Sequence, residues 1–136
     1  MKALDTPVLV VLLHGGRGAR ELLRHLRGQE VATTELNLLE LHTIVARGPT
    51  KGRARRTEGI ERLRRGLTVL AYDAKAASRL SRRGDREGTG GAPPLVLGVL
   101  ATLEASGCDE LITIDPASIP GKWQFRVSKF GKVGSK

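Results

Sequence analysis

Three acidic residues of this 136-residue chain stand where a carboxylate does chemistry more readily than it packs. Asp5 directly follows the segment KAL at 2–4, and Asp115 directly follows ELITI at 110–114. Each ends a strand-like run, where an unpartnered charge is costly to bury. Ligands of open parallel sheets bind beyond such strand ends. Glu40 lies between Leu36 and Ile44, one helical turn from each, so it projects from an apolar stripe. Glutamates seldom sit there without a partner. Three carboxylates with no Cys or His cluster suit a hard divalent cation, Mg²⁺ or Mn²⁺, held by carboxylates, water and substrate phosphate oxygens. Such a cation activates water and stabilises charge developing on a phosphodiester. Structural readings stand beside this one. Asp5 and Asp115 also suit helix caps or turns, as Asp115-Pro116 is a good turn starter. Glu40 also suits an edge residue reaching for solvent.

Other chemistries find less support. His14, His25 and His42 have no metal-ligand spacing and read as surface or helix residues. No GxSxG elbow is present. The stretch HGGRGAR at 14–20 lacks the GK[ST] ending of a Walker loop and reads as an inter-helix turn, with Arg17 and backbone amides open to a phosphate. The single cysteine, Cys108, excludes an internal disulfide framework and a Cys-cluster zinc site. The apolar run Val8–Leu13 is too short to span a membrane and, with Asp5 before it and no small-residue cleavage site after it, makes a poor signal peptide. A soluble cytoplasmic protein is expected.

Charge narrows the partner. The chain carries 23 Lys and Arg against 14 Asp and Glu, a net charge of +9. The segment 47–86, with thirteen basic and four acidic residues, holds all of that excess. A polyanion is implied, nucleic acid or an acidic protein, beside the plain reading of a solvated basic surface. The densest part is KGRARR at 51–56. Lys51, Arg53, Arg55, Arg56, Arg62, Arg64 and Arg65 belong to one basic helix expected over 52–65, suited to steering an RNA backbone. Aromatics are 3% of the chain, so the core is aliphatic; Trp123 and Phe125 read as core residues before base-stacking ones.

The elements that must position these residues alternate. Strands are expected at Lys2–Leu4, Glu30–Thr33, Leu67–Leu70, Glu110–Ile114 and Gln124–Val127. Helices are expected from a Thr6 cap with Pro7 in the first turn to about Leu13, over 19–28 with Leu22, Leu23 and Leu26 as apolar side, and from a Thr34 cap through Ala46. Further helices follow at 52–65, from an Asp73 cap to about Arg83, and over Leu95–Ala105. The stretch 84–92 is the one long loop candidate. This alternation predicts an α/β/α sandwich around a mainly parallel sheet. Residues 1–128 form one domain, and 129–136, with Lys129, Lys132 and Lys136, a flexible basic tail.

These residues also carry a family resemblance. KALDTPVLV at 2–10 resembles the opening of PIN-domain nucleases: an apolar strand, Asp-Thr, then an apolar helix. TTELNLLEL at 33–41 is similar to their second motif, with Thr34 opening a helix and Glu40 six residues on. YDAKAA at 72–77 is similar to the helix opening before their third motif, and ELITIDPASI at 110–119 to their last, through Thr113 and Asp115. The pattern covers about 1–120 and is nearest to small prokaryotic PIN proteins, among them toxins of VapBC-type toxin–antitoxin pairs. The resemblance implies a Rossmann-like sheet, metal-site roles for Asp5, Glu40 and Asp115, support from Thr113, Mg²⁺ or Mn²⁺, a homodimer, an antitoxin partner and cleavage of single-stranded RNA. Two positions depart from it. The family's acid before the last strand falls near Pro94 or Leu95 here, with Asp85, Glu87 and Glu104 as the acids nearby; Pro7 replaces a common Ser. An alternative follows: a PIN-like module of weakened or lost catalysis that binds RNA or a protein through its basic patch.

Overall fold

The computed structural model describes residues 1–83 and 89–131. In chain order the elements are β1 (Lys2–Leu4), α1 (Thr6–His14), α2 (Gly16–His25), β2 (Val31–Thr34), α3 (Glu35–Arg47), α4 (Arg53–Gly66), β3 (Thr68–Leu70), α5 (Ala74–Arg83), α6 (Pro94–Ala105), β4 (Glu110–Thr113), a 3₁₀ turn (Pro116–Ser118) and β5 (Arg126–Lys129). The sheet is wholly parallel, in the order β3-β2-β1-β4-β5.

Parallel strands need crossovers, and here the crossovers cover both faces. Period-2 alternation then sends neighbouring side chains to opposite cores. Leu4 and Ile112 join Val8, Leu9, Leu22, Leu38, Leu41 and Ile60 on the face of α1 to α4. Ala3 and Leu111 join Val99, Leu100 and Leu103 of α6 on the other. α5 packs along α6 outside that second core. The result is a PIN-like three-layer α/β/α sandwich, as expected. Full burial of each Leu or Ile contributes about 1.5–3 kcal/mol.

Several boundaries differ from the expected ones. The cap of α1 is Asp5, not Thr6, because the Asp5 carboxylate reaches the Val8 amide and leaves Thr6 as the first helical residue. Gly15 and Gly16 adopt φ of 76° and 87°, a turn that side chains resist, so α2 starts there rather than at residue 19. Leu23 is 58% exposed and belongs to the solvent side of α2, not its apolar side. β5 lies two residues further on than expected, since pairing of Glu110 with Arg126 and of Thr113 with Lys129 sets its register. Lys129 therefore closes a strand, and Phe130 packs against the first core. Residues 132–136 of the expected tail, and Asp85 and Glu87 of the expected loop, lie outside the described residues.

Candidate active site

β1 and β4 are neighbours, yet the strand after β1 lies on one side of the pair and the strand after β4 on the other. That switch opens a crevice beyond their carboxyl ends. Asp5 leaves β1 into this crevice in extended backbone geometry, its Oδ1 accepting from the Val8 amide at 3.4 Å. Thr113, 2% exposed at the end of β4, lies near enough to the Asp5 carboxylate to favour its charged form. Glu40 comes from the second turn of α3, where Thr34 caps the helix by accepting from the Asn37 amide at 3.0 Å.

Asp5 and Glu40 are brought together. Both line one cavity of about 340 Å³, with Thr6, Asn37 and Ser118 as further polar residues. Burial raises the Asp5 carboxyl above its ordinary range, and the Glu40 charge adds to the rise. The Thr113 hydroxyl and the Val8 amide oppose it, since both favour the charged form. Glu40 is oriented by a chain of donors. Its Oε1 accepts from Thr6 Oγ1 at 2.8 Å, Thr6 Oγ1 accepts from Asn37 Nδ2 at 3.1 Å, and Asn37 Oδ1 accepts from Thr34 Oγ1 at 2.8 Å. Asn37 was missed in the sequence. Its signal was its place three residues after the Thr34 cap and three before Glu40, on the same helical face.

Asp115 does not join them. It is exposed, and its Oδ1 accepts from the Ala117 amide at 3.2 Å, capping the 3₁₀ turn. That bond is the turn role that Asp115-Pro116 suits. The residues after it, Ser118 and Ile119, reach the cavity instead. Among the described residues no three His, Cys, Asp or Glu side chains group closely enough to hold a metal ion. The wall facing the two acids is Val96, Val99 and Leu100 of α6, which begins at Pro94. Glu104 points away from this site. Its side chain is 5% exposed, lies 3.7 Å from Arg79 and 3.8 Å from Arg83, and accepts from the Gln124 amide at 2.9 Å.

No protein-family model matches the chain, and no curated protein matches it as a relative. Solved structures do. VapBC2 from Rickettsia felis, bound to a DNA fragment from its promoter, contains a chain that superposes with a TM-score of 0.75 at 15% identity, covering 94% of this chain and 97% of that one. DNA-bound VapBC from Salmonella typhimurium gives 0.74 at 19%, covering 95% and 97%. VapBC-5 from Mycobacterium tuberculosis gives 0.66 at 24%, covering 94% and 97%. The chain has a PIN-like fold shared with chains of VapBC toxin–antitoxin complexes.

In this PIN-like chain the basic helix α4 is more occupied than its composition suggests. Arg64 makes a bidentate pair with Glu35 at 2.8 and 2.9 Å, and Arg62 lies 3.5 Å from Glu58. Arg53 donates to the Gly48 carbonyl at 2.8 Å, and Arg56 donates to the carbonyls of Pro49 and Lys51. Only Lys51, Arg55 and Arg65 of the seven make no ion pair or side-chain hydrogen bond among the described residues. Trp123 and Phe125 are half-buried on the second core, stacked at 6.2 Å with the Arg83 guanidinium 3.6 Å over the indole. Core packing is thus their role, as expected. Among the described residues no helix is long and apolar enough to cross a membrane.

Proposed function

We propose that the chain is a divalent-metal-dependent endoribonuclease of the toxin type, acting on single-stranded RNA. The observation that carries this reading is the meeting of Asp5 and Glu40 in one cavity at the switch point of the sheet. The donor set fits a hard cation: two carboxylates, one already oriented by a hydroxyl, in a cavity with room for a phosphate. Mg²⁺ is commonly held by one or two carboxylates with substrate phosphates completing its shell. Asp5 and Glu40 would hold Mg²⁺ or Mn²⁺, which when bound supplies an activated water and charge neutralisation at the scissile phosphate.

The chain's own residues do the rest. Thr6 fixes which Glu40 oxygen faces the cavity, and Asn37 fixes Thr6. The Thr113 hydroxyl favours the charged Asp5 carboxylate. Val96, Val99 and Leu100 keep one wall dry, which strengthens electrostatics inside. Asp115 holds the turn that presents Ser118 and Ile119. The proteins of shared fold were solved as toxin–antitoxin assemblies, which supports an antitoxin-type partner for this chain and action in the cytoplasm. Self-association as a homodimer belongs to the same reading.

The apolar wall favours a second reading. Where the family pattern has a further acid, α6 offers Val96 and Val99, which suits a weakened enzyme or a binding module. Asp5→Asn separates the two. On the nuclease reading it lowers Mn²⁺-dependent cleavage of a labelled oligoribonucleotide by about a hundredfold or more and leaves RNA binding intact. Unchanged cleavage would refute the assignment.

A further inference from the structure

The charge of +9 suits a polyanion, but the helix richest in arginine has most of its guanidinium groups engaged by Glu35, Glu58 and backbone carbonyls. α2 is the opposite case. Arg20, Arg24 and Arg27 are exposed and make no ion pair or side-chain hydrogen bond among the described residues. Glu21, the acid of that helix, is taken by Arg17 at 3.2 Å. Arg20 and Arg24 lie one turn apart on one face of α2, and Arg27 follows in the turn after the helix ends at His25. Ala19, Leu22 and Leu26 on the other face are buried, so the arginines stand on a fixed platform. Together with Leu23 they line a single groove of about 390 Å³.

We propose that this α2 face is a contact for the phosphate backbone of single-stranded RNA, separate from the cleavage cavity; the proposal rests on the nuclease reading for the choice of RNA. Three guanidinium groups bordering one groove offer charge to successive phosphates of one strand. Arginine's planar fork suits bidentate pairing with phosphate, and Leu23, 58% exposed between the arms, offers an apolar surface to a ribose. The chain passes from α2 to the start of β2 at Val31, so Arg27 lies near the edge where strands begin, away from the strand end that carries Asp5. RNA held there reaches the cavity by wrapping past α1, which joins the two places.

The test is fluorescence anisotropy of the full chain with a labelled oligouridylate in a chelator, over a range of salt. Metal-free binding is read, so the outcome does not depend on whether Asp5 and Glu40 support cleavage. The expected result for R20A/R24A/R27A is a slope of log affinity against log salt shallower by about 2, near 0.7 for each phosphate no longer neutralised, and affinity down about tenfold or more at low salt. R20K/R24K/R27K keeps the wild-type slope, which separates the effect of charge from any effect on folding. An unchanged slope in the alanine variant overturns the proposal. So does displacement of the RNA by polyglutamate at equal charge concentration, which would mark the face as a site for acidic protein.

Discussion

Asp5 caps α1 and faces Glu40 with the same carboxylate, and those two duties disagree about its proton. The cap favours charge; burial and the neighbouring acid oppose it and win, so its pKa rises. An acid whose folded pKa is raised contributes stability that is fully present below its unfolded pKa and lost as pH rises through the folded value. Without metal, Asp5→Asn therefore raises the melting temperature at pH 7, since Asn caps a helix about as well. The gain disappears below the ordinary Asp value near 3.8. Paired melts of the two proteins at pH 3 and pH 7 in a chelator check this. Asn37 gives a second expectation at this scale. Asn37→Ala leaves buried hydroxyls of Thr6 and Thr34 short of partners and costs about 2 kcal/mol in urea unfolding. It also lowers cleavage through a freed Glu40, an effect that a Thr6→Val change reproduces. Asp5 and Glu40 were legible in sequence because a strand end and an apolar stripe are unusual places for charge. Asn37 was not, because its partner Thr6 is 31 residues away and its local spacing resembles ordinary capping. Asp115 was legible as a strand-end acid, but the direction of its side chain is set by the turn that follows.

At the scale of elements, α6 decides the character of the site. Its start at Pro94 and its Val96-Val99-Leu100 face put hydrocarbon opposite two acids. Val96→Asp adds a carboxylate to that wall, and Mn²⁺ then stabilises the variant more than the parent at equal concentration in thermal shift, with faster RNA cleavage. The outer end of α6 is held differently. Glu104 ties Arg79 and Arg83 of α5 to the Gln124 amide. Glu104→Ala leaves a buried guanidinium uncompensated and costs about 3 kcal/mol, read from the urea midpoint, while RNA cleavage at 25 °C stays at the parent rate. The helices and strands themselves were readable from period and caps, since Thr34 and Asp73 act as their types suggest. β5 was displaced because its register is dictated by β4, a partner that no local pattern contains.

For the whole molecule, the composition gives a net charge of +9 concentrated over 47–86, and the fold engages part of that charge within α4. Glu58 and Glu61 lie within α4 beside Arg62 and Arg64, whereas Glu35, 29 residues from Arg64, meets it only once the chain is folded. The sandwich puts Arg20, Arg24 and Arg27 and the acidic cavity at different places on one fold, as the proposed nuclease reading requires. That account stands on Asp5 and Glu40 acting as a metal pair. A crystal soaked in Mn²⁺ and measured for anomalous scattering addresses this most directly. The account predicts a peak between the two carboxylates, within coordination distance of both. A map with no peak there, under conditions where the protein cleaves RNA, would contradict it.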